Sequence, residues 1–128
     1  MKLNGIHHIA LNVRNLDIAE NFYTKVLGFP VTARISTGVR HIMVDTGNSA
    51  VALFEAPELD TKSCTDLISE EGFLHFAFRA DRGKFDSIVE ELKEKSIDIE
   101  GPVKRGDGIS VYFNDPDDNH LEIHCDHD

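Results

Sequence analysis

Cysteine is scarce. Cys64 and Cys125 are the only two among 128 residues. They form no CxxC pair, and two isolated thiols suit a reducing cytoplasm. Basic residues are few beside acidic ones: 13 Lys and Arg stand against 23 Asp and Glu, for a formal net charge of −10. That balance argues against broad nucleic-acid binding, which needs basic patches to displace counterions, and an anionic membrane surface would repel it. No apolar run approaches the roughly 18 residues of a membrane span. Met1-Lys2-Leu3-Asn4-Gly5-Ile6 lacks the apolar stretch of a signal peptide. Neither GxGxxG nor GxxxxGK[ST] occurs, so neither a Rossmann nor a P-loop reading has support. No low-complexity segment is present. What remains is an ordinary soluble composition, 41% apolar and 28% charged, sized for one domain over 1–128. The seven histidines are the unusual feature.

The chain contains an internal repeat. His8-Ile9-Ala10-Leu11-Asn12-Val13 and, 67 positions later, His75-Phe76-Ala77-Phe78-Arg79-Ala80 share one pattern. Both alternate with period two and read as half-buried strands, with the His, the Ala and the polar residue on one face. A helical stripe follows each: Ala19, Phe22, Tyr23, Val26 and Leu27 first, then Phe85, Ile88, Val89 and Leu92. Asn15 or Asp17 can cap the first helix, and Gly28 can end it. Three strands are expected after each helix, at Val31–Ile35, His41–Asp45 and Ala50–Phe54, and at Ile97–Ile99, Ile109–Phe113 and His120–Cys125. The linker is Pro57 through Ser69. The expected fold is α+β: two βαβββ modules, 4–56 and 72–126, form a curled mixed sheet around a central cleft, with the helices outside and the His8 and His75 faces inside.

The last hairpin places a carboxylate. If Asn114 pairs with His120 across the Asp115–Asn119 turn, Tyr112 lies opposite Glu122, and Glu122 and His124 point into the concavity. Leu121 and Ile123 then face the core. A carboxylate there needs a partner: a metal ion, the Tyr112 hydroxyl, or an arginine such as Arg79. His8, His75 and Glu122 come from three strands, and two imidazoles with one carboxylate suit Zn²⁺, Fe²⁺, Mn²⁺, Co²⁺ or Ni²⁺. Three protein ligands leave positions open for substrate. Glu55 is a fourth candidate, because it follows His8 by the same 47 residues that separate Glu122 from His75. Single histidines on strands are usually satisfied polar residues; His41, His120, His124 and His127 read as surface residues, and His7 as lying on the helix side or an edge. Asp115 to Asp118 reads as a turn. The tail His124-Cys125-Asp126-His127 reads as a flexible terminus.

Four segments resemble the vicinal oxygen chelate superfamily, which includes glyoxalase I, bleomycin-resistance proteins, extradiol dioxygenases and fosfomycin-resistance enzymes. They are Gly5-Ile6-His7-His8-Ile9-Ala10-Leu11-Asn12-Val13, Asn21 to Phe29, Leu74-His75-Phe76-Ala77-Phe78 and Val111 to His124. The resemblance implies a divalent metal on His8, His75 and Glu122, a small-molecule substrate chelated through vicinal oxygens, and a homodimer. It puts the fourth glyoxalase I ligand at Ala52 or Leu53, two or three residues ahead of Glu55. Tyr112 matches a substrate-contacting tyrosine of the fosfomycin-resistance thiol transferases. Those enzymes carry a threonine where this chain has Ala10, and they continue past the equivalent of Asp128 into a basic helical segment. The expectation is therefore a glyoxalase I-like lyase or isomerase, with Glu122 or Glu55 as base and Tyr112 as hydrogen-bond donor. Fosfomycin thiol transfer, extradiol dioxygenation and metal-free drug binding are the alternatives.

Overall fold

A computed structural model of the protein describes residues 1–58 and 74–126. Cys64, His127 and the linker from 59 onward lie outside the described residues. The chain divides into two compact units, Met1–Thr61 and Lys62–Asp128.

The first unit runs β1 (Ile9–Val13), α1 (Leu16–Asn21), a π-helical segment (Phe22–Val26), β2 (Val31–Ile35), β3 (His41–Asp45) and β4 (Ala50–Glu55). Its sheet has the order β1-β4-β3-β2. β1 is parallel to β4, and β3 is antiparallel to both its neighbours. Asn15 caps α1 by accepting from the Ile18 amide at 3.1 Å, which settles the choice between Asn15 and Asp17. The helix then widens. Thr24 Oγ1 donates to the Glu20 carbonyl at 2.8 Å, and Leu27 N–H reaches back five residues to Phe22 O. A side chain bonded into the helical ladder is a recognised cause of such a bulge. The apolar stripe therefore stays fully buried only through Ala19, Phe22 and Tyr23, while Val26 and Leu27 are half-buried. Gly28, at φ +79°, turns the chain out in the left-handed region.

The second unit runs β5 (His75–Arg79), a 3₁₀ turn (Arg82–Lys84), α2 (Phe85–Glu94), β6 (Glu100–Arg105), β7 (Gly108–Asn114) and β8 (His120–Cys125). Its sheet, β5-β8-β7-β6, repeats the first topology, with β5 parallel to β8. Phe85, Val89 and Leu92 of α2 are buried, as are Val111, Phe113, Leu121 and Ile123 of the sheet. The strand expected at Ile97–Ile99 is displaced: β6 begins at Glu100. The cause is the end of α2. Ser96 sits at φ 60°, its N–H bonds Lys93 O, and Ile97 N–H bonds Leu92 O. That paired closure is a Schellman motif with serine in place of glycine, and it holds Ile97 to the helix. Pro102, which has no N–H to give, sits in edge strand β6 at a register irregularity between Glu100 and Val103.

The Asp115–Asn119 turn is held by one carboxylate. Asp115 accepts from the Asp117 and Asn119 amides at 2.8 and 2.9 Å, and the Asp115 N–H closes the hairpin on Asn119 O. Asn114 pairs with His120 and Tyr112 with Glu122, the register expected from the sequence. Among the described residues, no helix is long and apolar enough to cross a membrane.

Candidate metal centre

Lateral partners in a sheet share a face. In the second unit, Ala77 pairs with Glu122, Glu122 with Tyr112, and His124 with Ser110. Period two adds His75 from β5, so His75, Glu122, Tyr112, Ser110 and His124 occupy one face. Leu121, Ile123, Val111 and Phe113 occupy the other.

Glu122 is 8% exposed, and a buried carboxylate needs compensation. Both oxygens have it. Oε2 accepts from Ser110 Oγ at 2.6 Å, and Oε1 stands 3.1 Å from His75 Nε2. The partners considered from sequence are occupied elsewhere: Arg79 pairs with Asp126, and the Tyr112 hydroxyl accepts from Arg105 Nε at 2.9 Å. The Arg105 guanidinium also lies 5.6 Å from the Tyr112 ring centre. The His75 and Tyr112 rings are 6.5 Å apart.

The donor set fits a divalent metal. Metal–nitrogen and metal–oxygen bonds of about 2.0–2.2 Å put adjacent ligand atoms about 2.8–3.1 Å apart around an octahedral ion and about 3.3–3.6 Å around a tetrahedral one, and the Nε2–Oε1 separation of 3.1 Å matches the octahedral edge. Among the described residues, no three His, Cys, Asp or Glu side chains are grouped to hold an ion. This unit supplies a pair, one imidazole and one carboxylate.

His8 belongs to the first unit. It is exposed, one residue ahead of β1, and its Nδ1 lies 2.8 Å from that of His7. The two sheets correspond strand for strand, which resolves the conflict over Glu55. Ala77 pairs with Glu122 in the second unit; its counterpart Ala10 pairs with Ala52 in the first. The residue equivalent to Glu122 is therefore Ala52. Glu55 pairs with buried Val13 and lies on the opposite face of β4 from Ala52. Its Oε2 accepts from the Leu16 amide at 2.8 Å, at the start of α1, and meets Arg40 at 3.4 Å. A carboxylate at a helix N-terminus satisfies an orphan amide and complements the dipole. Glu55→Ala is expected to lower stability by about 1 kcal/mol, as loss of a capping group does, with divalent-metal affinity unchanged; urea unfolding and metal titration of the variant check the two halves.

A family model described as the Glyoxalase/Bleomycin resistance protein/Dioxygenase superfamily matches residues 5–123. The chain belongs to that superfamily. Within it, the chain is 31% identical over 125 residues to the metallothiol transferase FosB of Shouchella clausii, across 95% of this chain and 80% of that protein. It is 27% identical over 122 residues to the glutathione transferase FosA of Serratia marcescens, across 95% of this chain and 81% of that one. A variant of FosX from Listeria monocytogenes, crystallised with Mn(II) and 1S,2S-dihydroxypropylphosphonic acid, superposes with a TM-score of 0.77 at 20% identity, covering 98% of this chain and 94% of that one. This last likeness shows the glyoxalase-type fold. The relatives reverse the order expected from sequence, placing fosfomycin-resistance transferases ahead of a glyoxalase I-like lyase. Neither Ser110 nor Arg105 stands out in the sequence. The period-two alternation of Ser110 and Tyr112, set against Glu122 and His124, carried the signal for Ser110. Arg105 ends β6, the strand misplaced by three residues.

Proposed function

We propose that this chain is a divalent-metal-dependent transferase that adds a thiol to fosfomycin or a related oxirane phosphonate. His75 and Glu122 are the metal ligands supplied by the second unit. His8, from the same chain or from a partner copy in a homodimer, is the third, on the strength of its place in the repeat. Mn²⁺ is the first ion to try, because the FosX variant was crystallised with it; Zn²⁺, Fe²⁺, Co²⁺ and Ni²⁺ suit the same donors.

The pair that carries this reading is His75 and Glu122 at 3.1 Å, on a face shared with Tyr112, in a chain 31% identical to FosB. A cation held there supplies Lewis-acid charge where negative charge develops in the transition state. In the reaction a sulfur–carbon bond forms, an oxirane carbon–oxygen bond breaks, and the departing oxygen takes up a proton. Tyr112 accepts from Arg105 and keeps its own O–H to donate to an anionic substrate. Arg105, drawn against the Tyr112 ring, adds positive charge beside it. Glu55 takes no part, since its carboxylate is committed to the Leu16 amide and Arg40.

Phosphorus NMR of fosfomycin with Mn²⁺ and either glutathione or cysteine tests the proposal. The expected result is a new phosphonate signal that requires protein, metal and thiol together. Turnover of a hemithioacetal with no loss of fosfomycin would overturn it in favour of the lyase.

A further inference from the structure

We propose that Ser110 and His124 form a hydrogen-bonded relay that positions Glu122 so that only Oε1 is presented to a metal. The inference rests on the metal reading above and assigns positioning roles to two further residues. Ser110 is fully buried on β7. Its hydroxyl has one hydrogen, directed to Glu122 Oε2 at 2.6 Å. It must therefore accept from its other neighbour, the Nδ1–H of His124 at 2.7 Å. The direction of the chain is thus set: His124 donates to Ser110, and Ser110 donates to Glu122. Beyond it, His124 Nε2 lies 3.4 Å from Asp126 Oδ1.

The backbone makes room for this chain. A Cβ at Gly108 would stand 2.7 Å from His124 Nε2 and 2.2 Å from the Cys125 carbonyl, both closer than contact distance allows. Only glycine lets the ring lie across the start of β7. The strand register then brings His124 beside Ser110 and Glu122 beside Tyr112, so the relay runs diagonally across two adjacent strands. With Oε2 engaged, rotation of the carboxylate would break a short buried hydrogen bond. Oε1 is left facing His75 Nε2. Groups that orient a ligand in this way typically contribute about 10–100-fold in metal affinity.

Mn²⁺ titration followed by the EPR signal of the free ion reads the relay without any turnover. Ser110→Ala and His124→Ala are each expected to weaken binding roughly tenfold, with Ser110→Thr, which keeps the hydroxyl, binding more tightly than Ser110→Ala. The double variant should be little worse than either single one, because both remove the same chain. Tight binding by the wild type with unchanged affinity in both single variants would overturn the relay and leave the metal site standing. Strictly additive losses would also overturn it, because Ser110 and His124 would then act separately. Wild-type protein that binds no divalent ion would overturn the metal reading and the relay together. If Ser110→Ala does not fold, His124→Ala carries the test alone, since that side chain is 27% exposed.

Discussion

Glu122→Gln is expected to reduce kcat/KM by at least about 100-fold, a loss typical of removing one electrostatic group from a reacting centre, and to weaken Mn²⁺ binding in parallel. The substitution keeps the shape of the side chain. The amide oxygen can still accept from Ser110, which holds Oε2 at 2.6 Å in the wild type, so the hairpin should survive. What is lost is the negative charge and one oxygen donor opposite His75. A neutral amide is a weaker ligand for a hard divalent cation than a carboxylate. Activity and metal affinity should therefore fall together while the unfolding midpoint barely moves. Equilibrium dialysis with Mn²⁺ beside steady-state kinetics checks this, and unchanged stoichiometry in the variant would argue against Glu122 as a ligand.

Phe113→Ala is expected to lower stability by about 3–5 kcal/mol, the usual cost of emptying a buried aromatic site. That is a large share of the roughly 5–15 kcal/mol available to a small domain. Phe113 is fully buried and pairs with Leu121 on the core face of β7 and β8, opposite Tyr112 and Glu122. The loss should appear as a lower urea midpoint at constant slope. In the folded fraction, metal affinity should be retained, because the ligand face is untouched. A loss below about 1 kcal/mol would mean that this side chain is not packed as the structure shows.

Much of the fold was readable in advance because period-two patterns are strong where one face is buried. β2, β3 and β8 run from Val31, His41 and His120 to the ends the alternation marked. The register of the last hairpin followed from its turn, since Asp115 and Asn119 fix the loop length and with it the pairing of Tyr112 and Glu122. β6 was misplaced because Ser96 adopts a conformation that sequence reasoning reserves for glycine or asparagine. The widened turn after Asn21 escaped notice for a similar reason, as Thr24 reads as a helix residue until its hydroxyl is seen bonded to Glu20 O.

The candidate site was legible only in part. His75 and Glu122 stand 47 residues apart in the sequence, and the repeat, with the period-two pattern, marked both. The same spacing misled at Glu55, because two repeats can keep strand pairing while differing by three residues in the intervening segments. Pairing, not counting, identifies Ala52 as the equivalent of Glu122. Ser110 looked like a minor polar residue in an apolar strand. Its importance lies in two contacts to a neighbouring strand, which no local pattern encodes.

Metal analysis of untagged protein, reconstituted with Mn²⁺ and freed of excess ion, tests the central claim most directly when wild type and His75→Ala are compared. His75 is exposed enough, at 40% of its side chain, for the variant to fold. The account predicts close to one ion per chain in the wild type and almost none in the variant. Equal metal content in the two would contradict it.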